Sequence, residues 1–146
     1  MFANSIFNGD ISQWNIRGAV NMDGMFLNSQ FNGDISRWDV SNAEGMNYMF
    51  KKSTFNGDIS GWNVSHAEYM YEMFAESQFS YDLSNWQPIN AYYIGKMFSN
   101  CPALTPYWAQ IEDLSERVLA IDTYHNKKIL SHLLEENTKN GPIKKI

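Results

Sequence analysis

Phe31-Asn32-Gly33-Asp34-Ile35-Ser36-Arg37-Trp38-Asp39-Val40 returns 24 residues later as Phe55-Asn56-Gly57-Asp58-Ile59-Ser60-Gly61-Trp62-Asn63-Val64. The same phrase stands earlier, from Phe7 to Ile16. It stands later in degraded form from Phe79, where Ser80-Tyr81 replaces Asn-Gly. A Met-Phe pair keeps the same step at 1–2, 25–26, 49–50, 73–74 and 97–98. All nine phenylalanines fall in these columns, and all eight methionines fall in repeat columns, Met22, Met46 and Met70 forming one more. A fixed period of this length means stacked supersecondary units, none of which buries its apolar face alone.

Within one unit, Trp38-x-Val40 alternates like a strand with one buried face. Ala43, Met46, Met49 and Phe50 are three or four apart, the spacing of a short helical segment with an inward stripe. Asn56-Gly57 reads as a turn, because both residue types tolerate positive φ. The expected coil is strand, turn, helical segment, turn. Parallel pairing of the Trp-Val strands would stack residues 24 apart at about 4.8 Å. The expected fold is an α/β repeat solenoid with a short parallel sheet, occupying residues 1–104.

After Phe98 the pattern breaks. Thr105-Pro106 reads as a helix start. Tyr107, Trp108, Ile111, Leu114, Val118 and Ile121 follow at helical spacing, and Ile129, Leu130, Leu133 and Leu134 mark a second stretch. Residues 105–137 are expected to form one or two amphipathic helices, at least one covering the last coil. A mobile tail from Asn140 completes the 105–146 region.

The repeat region carries five Lys/Arg against ten Asp/Glu, and the remainder six against six. An acidic array disfavours nucleic acid and anionic membrane as partners. The single Cys101 allows no internal disulfide. No apolar run approaches membrane-spanning length and no signal peptide is evident. The expectation is a cytoplasmic chain, or a surface-exposed one if it is a fragment of a secreted protein.

Chemistry is poorly supported. Asp122 and His125 could form a dyad, yet no nucleophile is placed by sequence. His125 and His132 could share a helix face, but no Cys joins them and His66 is remote in sequence. There is no phosphate-binding loop. The expectation is no catalysis, no metal and no cofactor. The Asp10, Asp34, Asp58 and Asp82 column could hold calcium between coils. The simpler account is that each carboxylate accepts N–H bonds in its own turn.

Phe-Asn-Gly-Asp-Ile-Ser-x-Trp-Asp/Asn-Val followed by Ala-x-x-Met-x-x-Met-Phe closely resembles the BspA-type leucine-rich-repeat family, in its short-repeat branch. Residues 1–101 are covered. The resemblance implies a right-handed leucine-rich-repeat-like coil and a non-catalytic adhesion or protein-binding role. Such repeats are frequent on bacterial surface proteins, with relatives in viral and phage genomes. The function expected is a free-standing intracellular protein binder acting on a host factor. A surface adhesin and a purely structural, oligomerising module are the alternatives.

Three surfaces compete for that partner. The first flanks the buried Trp and Val on the expected strands. It comprises Gln13, Asn15 and Arg17, then Arg37, Asp39 and Ser41. Asn63, Ser65, Asn85 and Gln87 continue it. The second is tyrosine-rich: Tyr48, Tyr69, Tyr71, Tyr81, Tyr92 and Tyr93. These suit an interface, or packing beneath the C-terminal helices. The third is the first coil, where Phe2, Phe7 and Trp14 would face solvent and invite a homodimer.

Overall fold

The computed structural model describes residues 1–141. Residues 1–110 wind into a stack of 24-residue coils whose equivalent side chains lie one above another. Phe2, Phe26, Phe50, Phe74 and Phe98 form one ladder, with ring centroids 5.4–5.7 Å apart and nearly parallel planes. Phe7, Phe31, Phe55 and Phe79 form a second, 6.2–6.4 Å apart. The two ladders stack on each other at 4.3–4.6 Å, and Met46, Met49, Met70 and Met73 are fully buried in the same core. Flexible thioethers suit irregular gaps in such a core.

The expected strands, sheet and intra-coil helices do not form. No run of paired strand residues exists among the described residues. Parallel pairing survives only as isolated bridges, Asn21 to Gly45, Gly45 to Tyr69 and Tyr69 to Tyr93. These lie at the tyrosine column, not at Trp-x-Val.

The physical reason is visible in how each coil spends its backbone N–H groups, every one of which needs an acceptor. In the Met46–Ser53 segment, Met49, Lys51 and Ser53 donate three residues back, to Met46, Tyr48 and Phe50. Met46, Tyr48, Phe50 and Lys52 instead donate to Tyr69, Tyr71, Met73 and Ala75 of the next coil, at 2.7–2.9 Å. An α-helix would consume all of these donors locally. Here the turn is reset by residues in the left-handed region, Tyr48 (φ 56°) and Lys52 (φ 54°). The reset repeats at Gly24 and Asn28, at Glu72 and Glu76, and at Lys96 and Asn100. A non-glycine residue there costs about 1–2 kcal/mol. Inter-coil bonding offsets that cost.

Trp-x-Val is likewise interrupted. Trp38 N–H closes a turn onto Ile35 C=O. Its indole Nε1 reaches back 27 residues to donate to Ile11 C=O at 3.0 Å. Trp62 and Trp86 repeat the bond to Ile35 and Ile59. The tryptophans therefore tie coils together through side chains.

The Asn-Gly pairs also work differently from expectation. Gly33 and Gly57 are not at positive φ. A Cβ on Gly33 would stand 2.8 Å from the Phe31 ring, and one on Gly57 2.8 Å from the Phe55 ring. Glycine lets the ring two residues earlier fold over the backbone. The asparagines bond between coils: Asn32 N–H donates to Asn8 Oδ1 at 2.9 Å, and Asn56 N–H to Asn32 Oδ1 at 2.8 Å.

The C-terminal region departs most. Pro106 occupies the N-cap of a 3-10 turn, Tyr107–Gln110, rather than the first position of an α-helix. That turn places Trp108 on the tryptophan ladder, 6.4 Å from Trp86, with Nε1 donating to Leu83 C=O at 2.9 Å. The stack thus runs past residue 104. One long helix follows, α1, Leu114–Lys139. Asp113 caps it by accepting Glu116 N–H at 2.9 Å. Only Arg117 and Ile121 of α1 are fully buried. Ile129, Leu130, Leu133 and Leu134 are more than half exposed, so this stretch of α1 does not cover the stack. Asn140 ends α1 with its N–H on Glu136 C=O. The rest of the expected mobile tail, from 142, lies outside the described residues.

Candidate functional site

The tyrosine column is built by the coil geometry just described. Tyr69 and Tyr93 occupy equivalent positions, are joined by the parallel bridge, and stack with centroids 5.5 Å apart. Tyr48 and Tyr71 meet edge to face at 5.7 Å. Beside them Lys51 and Glu72 form a half-buried ion pair, with the ammonium 5.5 Å from the Tyr48 ring centroid. The shared hydrogen bond holds Glu72 below the usual carboxylate range and pushes Lys51 up. Tyr92 and Tyr93 remain 61% and 59% exposed. Tyr81 is separate, its ring tilted against Phe79.

Tyr71, Tyr92 and Tyr93 form one wall of a groove of about 640 Å³. Its floor is the Ile94–Ser99 turn of the last coil. Its other wall comes from the segment around Ala109, Gln110 and Glu112, with Arg117 at the end. These three tyrosines face the C-terminal cap across an open groove and are not packed beneath α1. The tyrosines that do pack in the cap are Tyr107 and Tyr124, stacked at 4.6 Å. Burial pushes the Tyr107 phenol up to about 12.

Arg117 fastens the groove's far end. Its side chain is fully buried. Nε donates to Ile111 C=O at 2.9 Å, and one terminal nitrogen donates to Glu112 C=O at 2.9 Å. The other terminal nitrogen donates to Ala91 C=O of the last coil. One side chain thereby links α1, the segment before it and the stack.

The surface expected on strands is present but not on strands. Gln13, Asn15, Arg17, Arg37 and Asp39 are exposed, as are Asn63, Asn85 and Gln87, while Ser41 and Ser65 are half-buried. Much of it serves local turns. Asn15 accepts Arg17 N–H, Asp39 accepts Ser41 N–H, and Asn63 accepts Ser65 N–H, all at 3.1–3.2 Å. Arg17 lies 3.7 Å from Asp39, an exposed pair worth little. At the far end Lys128 of α1 donates to Asn85 Oδ1 at 2.7 Å. A second groove, about 490 Å³, opens there, lined by His125, Lys128, His132 and Glu136 among others.

The acidic column sits in its own turns. Asp10, Asp34, Asp58 and Asp82 accept the N–H of the serine two residues on, at 2.8–3.0 Å. The serine hydroxyls, and then those backbone groups, hold the carboxyls below their ordinary range. Among the described residues no three His, Cys, Asp or Glu side chains converge as a metal site.

On the first coil, Phe2 and Phe7 are half-buried against Phe26 and Phe31, contrary to the expectation that they face solvent. Trp14 is 43% exposed. Among the described residues it has no indole partner of the kind every later ladder tryptophan has.

Sequence reasoning missed the groove floor, Gln110, Glu112 and Arg117. The one local signal was Asp113-Leu-Ser-Glu116, a helix-start pattern that places the true start of α1. Among the described residues no helix is long and apolar enough to cross a membrane. No curated protein and no solved structure matches the chain. One family model does match, over residues 1–110, which is the whole coil stack through Trp108. The chain belongs to the family described as Mycoplasma protein of unknown function, DUF285.

Proposed function

We propose that this is a non-catalytic protein-recognition module, with the tyrosine column and its groove as the principal contact surface. The observation that carries this reading is the pair of exposed tyrosines, Tyr92 and Tyr93, beside an open groove, with Tyr93 held by stacking and bridging to Tyr69. Tyrosine buries large area at low entropic cost, and rings already fixed by neighbours lose little on binding. The resemblance to BspA-type repeats supports the same class of function. Whether the partner is a host factor inside a cell or a ligand at a cell surface is decided by the partner itself.

The test is affinity capture followed by measured binding of the recovered protein. Tyr69→Ala, Tyr92→Ala and Tyr93→Ala should each leave the melting temperature near that of the parent. Each should weaken partner affinity by about tenfold or more. Unchanged affinity in all three would remove this surface from the reading.

A second reading, homodimerisation, is favoured by one observation. Met1, Ile6, Trp14 and Val20 all expose apolar surface on the first coil. Sedimentation should then show a dimer at micromolar protein that Trp14→Glu converts to monomer. A monomer throughout that range removes it.

A further inference from the structure

Each internal coil interface is closed by the same set of backbone bonds. Glu68 C=O accepts Tyr92 and Tyr93 N–H. Then Met70, Glu72, Phe74 and Glu76 N–H donate to Tyr93, Gly95, Met97 and Ser99 C=O, at 2.7–3.0 Å. The two interfaces before it repeat the pattern, from Val20 and from Glu44. On the last coil the equivalent groups are Tyr92 C=O and the N–H groups of Ile94, Lys96, Phe98 and Asn100. None of these five has a hydrogen-bond partner among the described residues. A further whole coil cannot stack there, because Trp108 already occupies the next rung of the tryptophan ladder. Yet the cap leaves this edge open, since Ile94 to Ser99 are the floor of the 640 Å³ groove. Gly95 lets the Tyr71 ring lie close against this coil, where a Cβ would stand 3.2 Å from it.

We infer that this edge takes a segment of a partner protein wound in turns like the chain's own Tyr93–Ser99, running parallel to Tyr92–Asn100. This rests on the protein-recognition reading above and specifies its ligand. The segment would give one backbone N–H to Tyr92 C=O. It would then present carbonyls at alternate residues to Ile94, Lys96, Phe98 and Asn100, as the chain's own coils do. The continuity with three filled interfaces argues for the occupant's backbone chemistry. All the donors of the row point to one side, so the edge favours acceptors over donors. Recognition through main chain is tolerant of sequence. Selectivity falls to side chains meeting Tyr92 and Tyr93.

The test uses the isotope-labelled full chain and amide exchange. In the free protein, Ile94, Lys96 and Phe98 N–H should exchange at least about tenfold faster than Met70, Glu72 and Phe74 N–H. The probe is a capped, lysine-flanked peptide of the Tyr69–Ala75 sequence, the segment that fills the equivalent row, Glu44–Lys52, two coils earlier. At about 1 mM, the affinity range of a short peptide, it should shift the 92–100 resonances and slow those three amides. Gln110→Trp, which fills the groove from its exposed wall, should abolish both effects. Equal protection of both amide sets in the free protein would overturn the inference, as would no shift with peptide or an unaltered response in Gln110→Trp. Protection that rises with protein concentration alone would assign the row to a second copy and also overturn it. If tyrosine substitutions weaken a captured partner while the peptide leaves 94–100 untouched, the groove ligand is wrong and the recognition reading stands. If neither responds, both fall.

Discussion

Arg117→Ala is expected to destabilise the protein by about 2–4 kcal/mol and to release α1 from the stack. The side chain satisfies the carbonyls of Ile111, Glu112 and Ala91, which come from three parts of the chain. Removing it strands one buried acceptor and two part-buried ones, each worth up to about 1–3 kcal/mol, although the cost of burying its charge is recovered. That recovery keeps the net below the sum. Arg117→Lys should recover less than half of the loss, because an ammonium cannot reproduce the planar fork. Denaturant unfolding gives the magnitude. Limited trypsin digestion gives the mechanism, since Lys127 and Lys128 should become early cleavage sites while the stack stays intact. A melting temperature within about 1 °C of the parent would show that the helix is held by Ile121 and its neighbours instead.

Trp86→Ala is expected to cost about 3–5 kcal/mol, the range for a large aromatic core truncation. The ring is 1% exposed and lies between Trp62 and Trp108, 6.4 Å from each. Its Nε1 holds Ile59 C=O at 3.0 Å. Trp86→Phe keeps part of the stacking and removes one of that carbonyl's two hydrogen bonds, the other coming from Trp62 N–H, so about 1–2 kcal/mol should remain lost. The same substitution at the equivalent position should behave very differently. Trp14→Ala should cost under about 1 kcal/mol, because that ring is 43% exposed and bridges no earlier coil. Chemical denaturation of the three variants checks the order. Equal losses at 14 and 86 would mean that the ladder stabilises through intra-coil packing alone.

The contrast between Trp14 and Trp86 shows what a repeated sequence conceals. The column is legible because every coil must bury the same apolar set, so Phe26, Trp38, Met46 and Phe50 could all be placed in the core from spacing alone. Their environments are set by what lies above and below, which the column does not record. The Met46–Ser53 segment shows a second limit. Its apolar residues have helical spacing, and they are indeed buried. Spacing reports which side chains face inward, while hydrogen bonding decides the backbone path. Left-handed residues at Tyr48 and Lys52 divert every second N–H to the next coil, and neither residue type advertises that conformation.

The candidate site was legible only in part. Six tyrosines stood out as off-column residues, and five of them do gather near one face. Tyr81 did not join them. The groove beside them depends on where Trp108 and Arg117 dock, contacts that span 25 and 26 residues and leave no local periodic trace. Trp108 was expected on a helix because it neighbours apolar residues at helical spacing. The ladder claimed it instead, since the open face of Trp86 and the second acceptor site of the Leu83 carbonyl, which already takes Trp86 N–H, lie there.

By itself the sequence determined the 24-residue period, the identity of the core and the point where the repeat fails, because periodic burial must be written residue by residue. Only the tertiary structure decided that the coils are joined by alternate turn amides rather than a sheet. It alone showed that the fifth tryptophan rung is Trp108, and that the last row of donors is left open beside Tyr92 and Tyr93. Those outcomes depend on which acceptor each buried donor can reach in three dimensions, a competition between coils that no single repeat encodes.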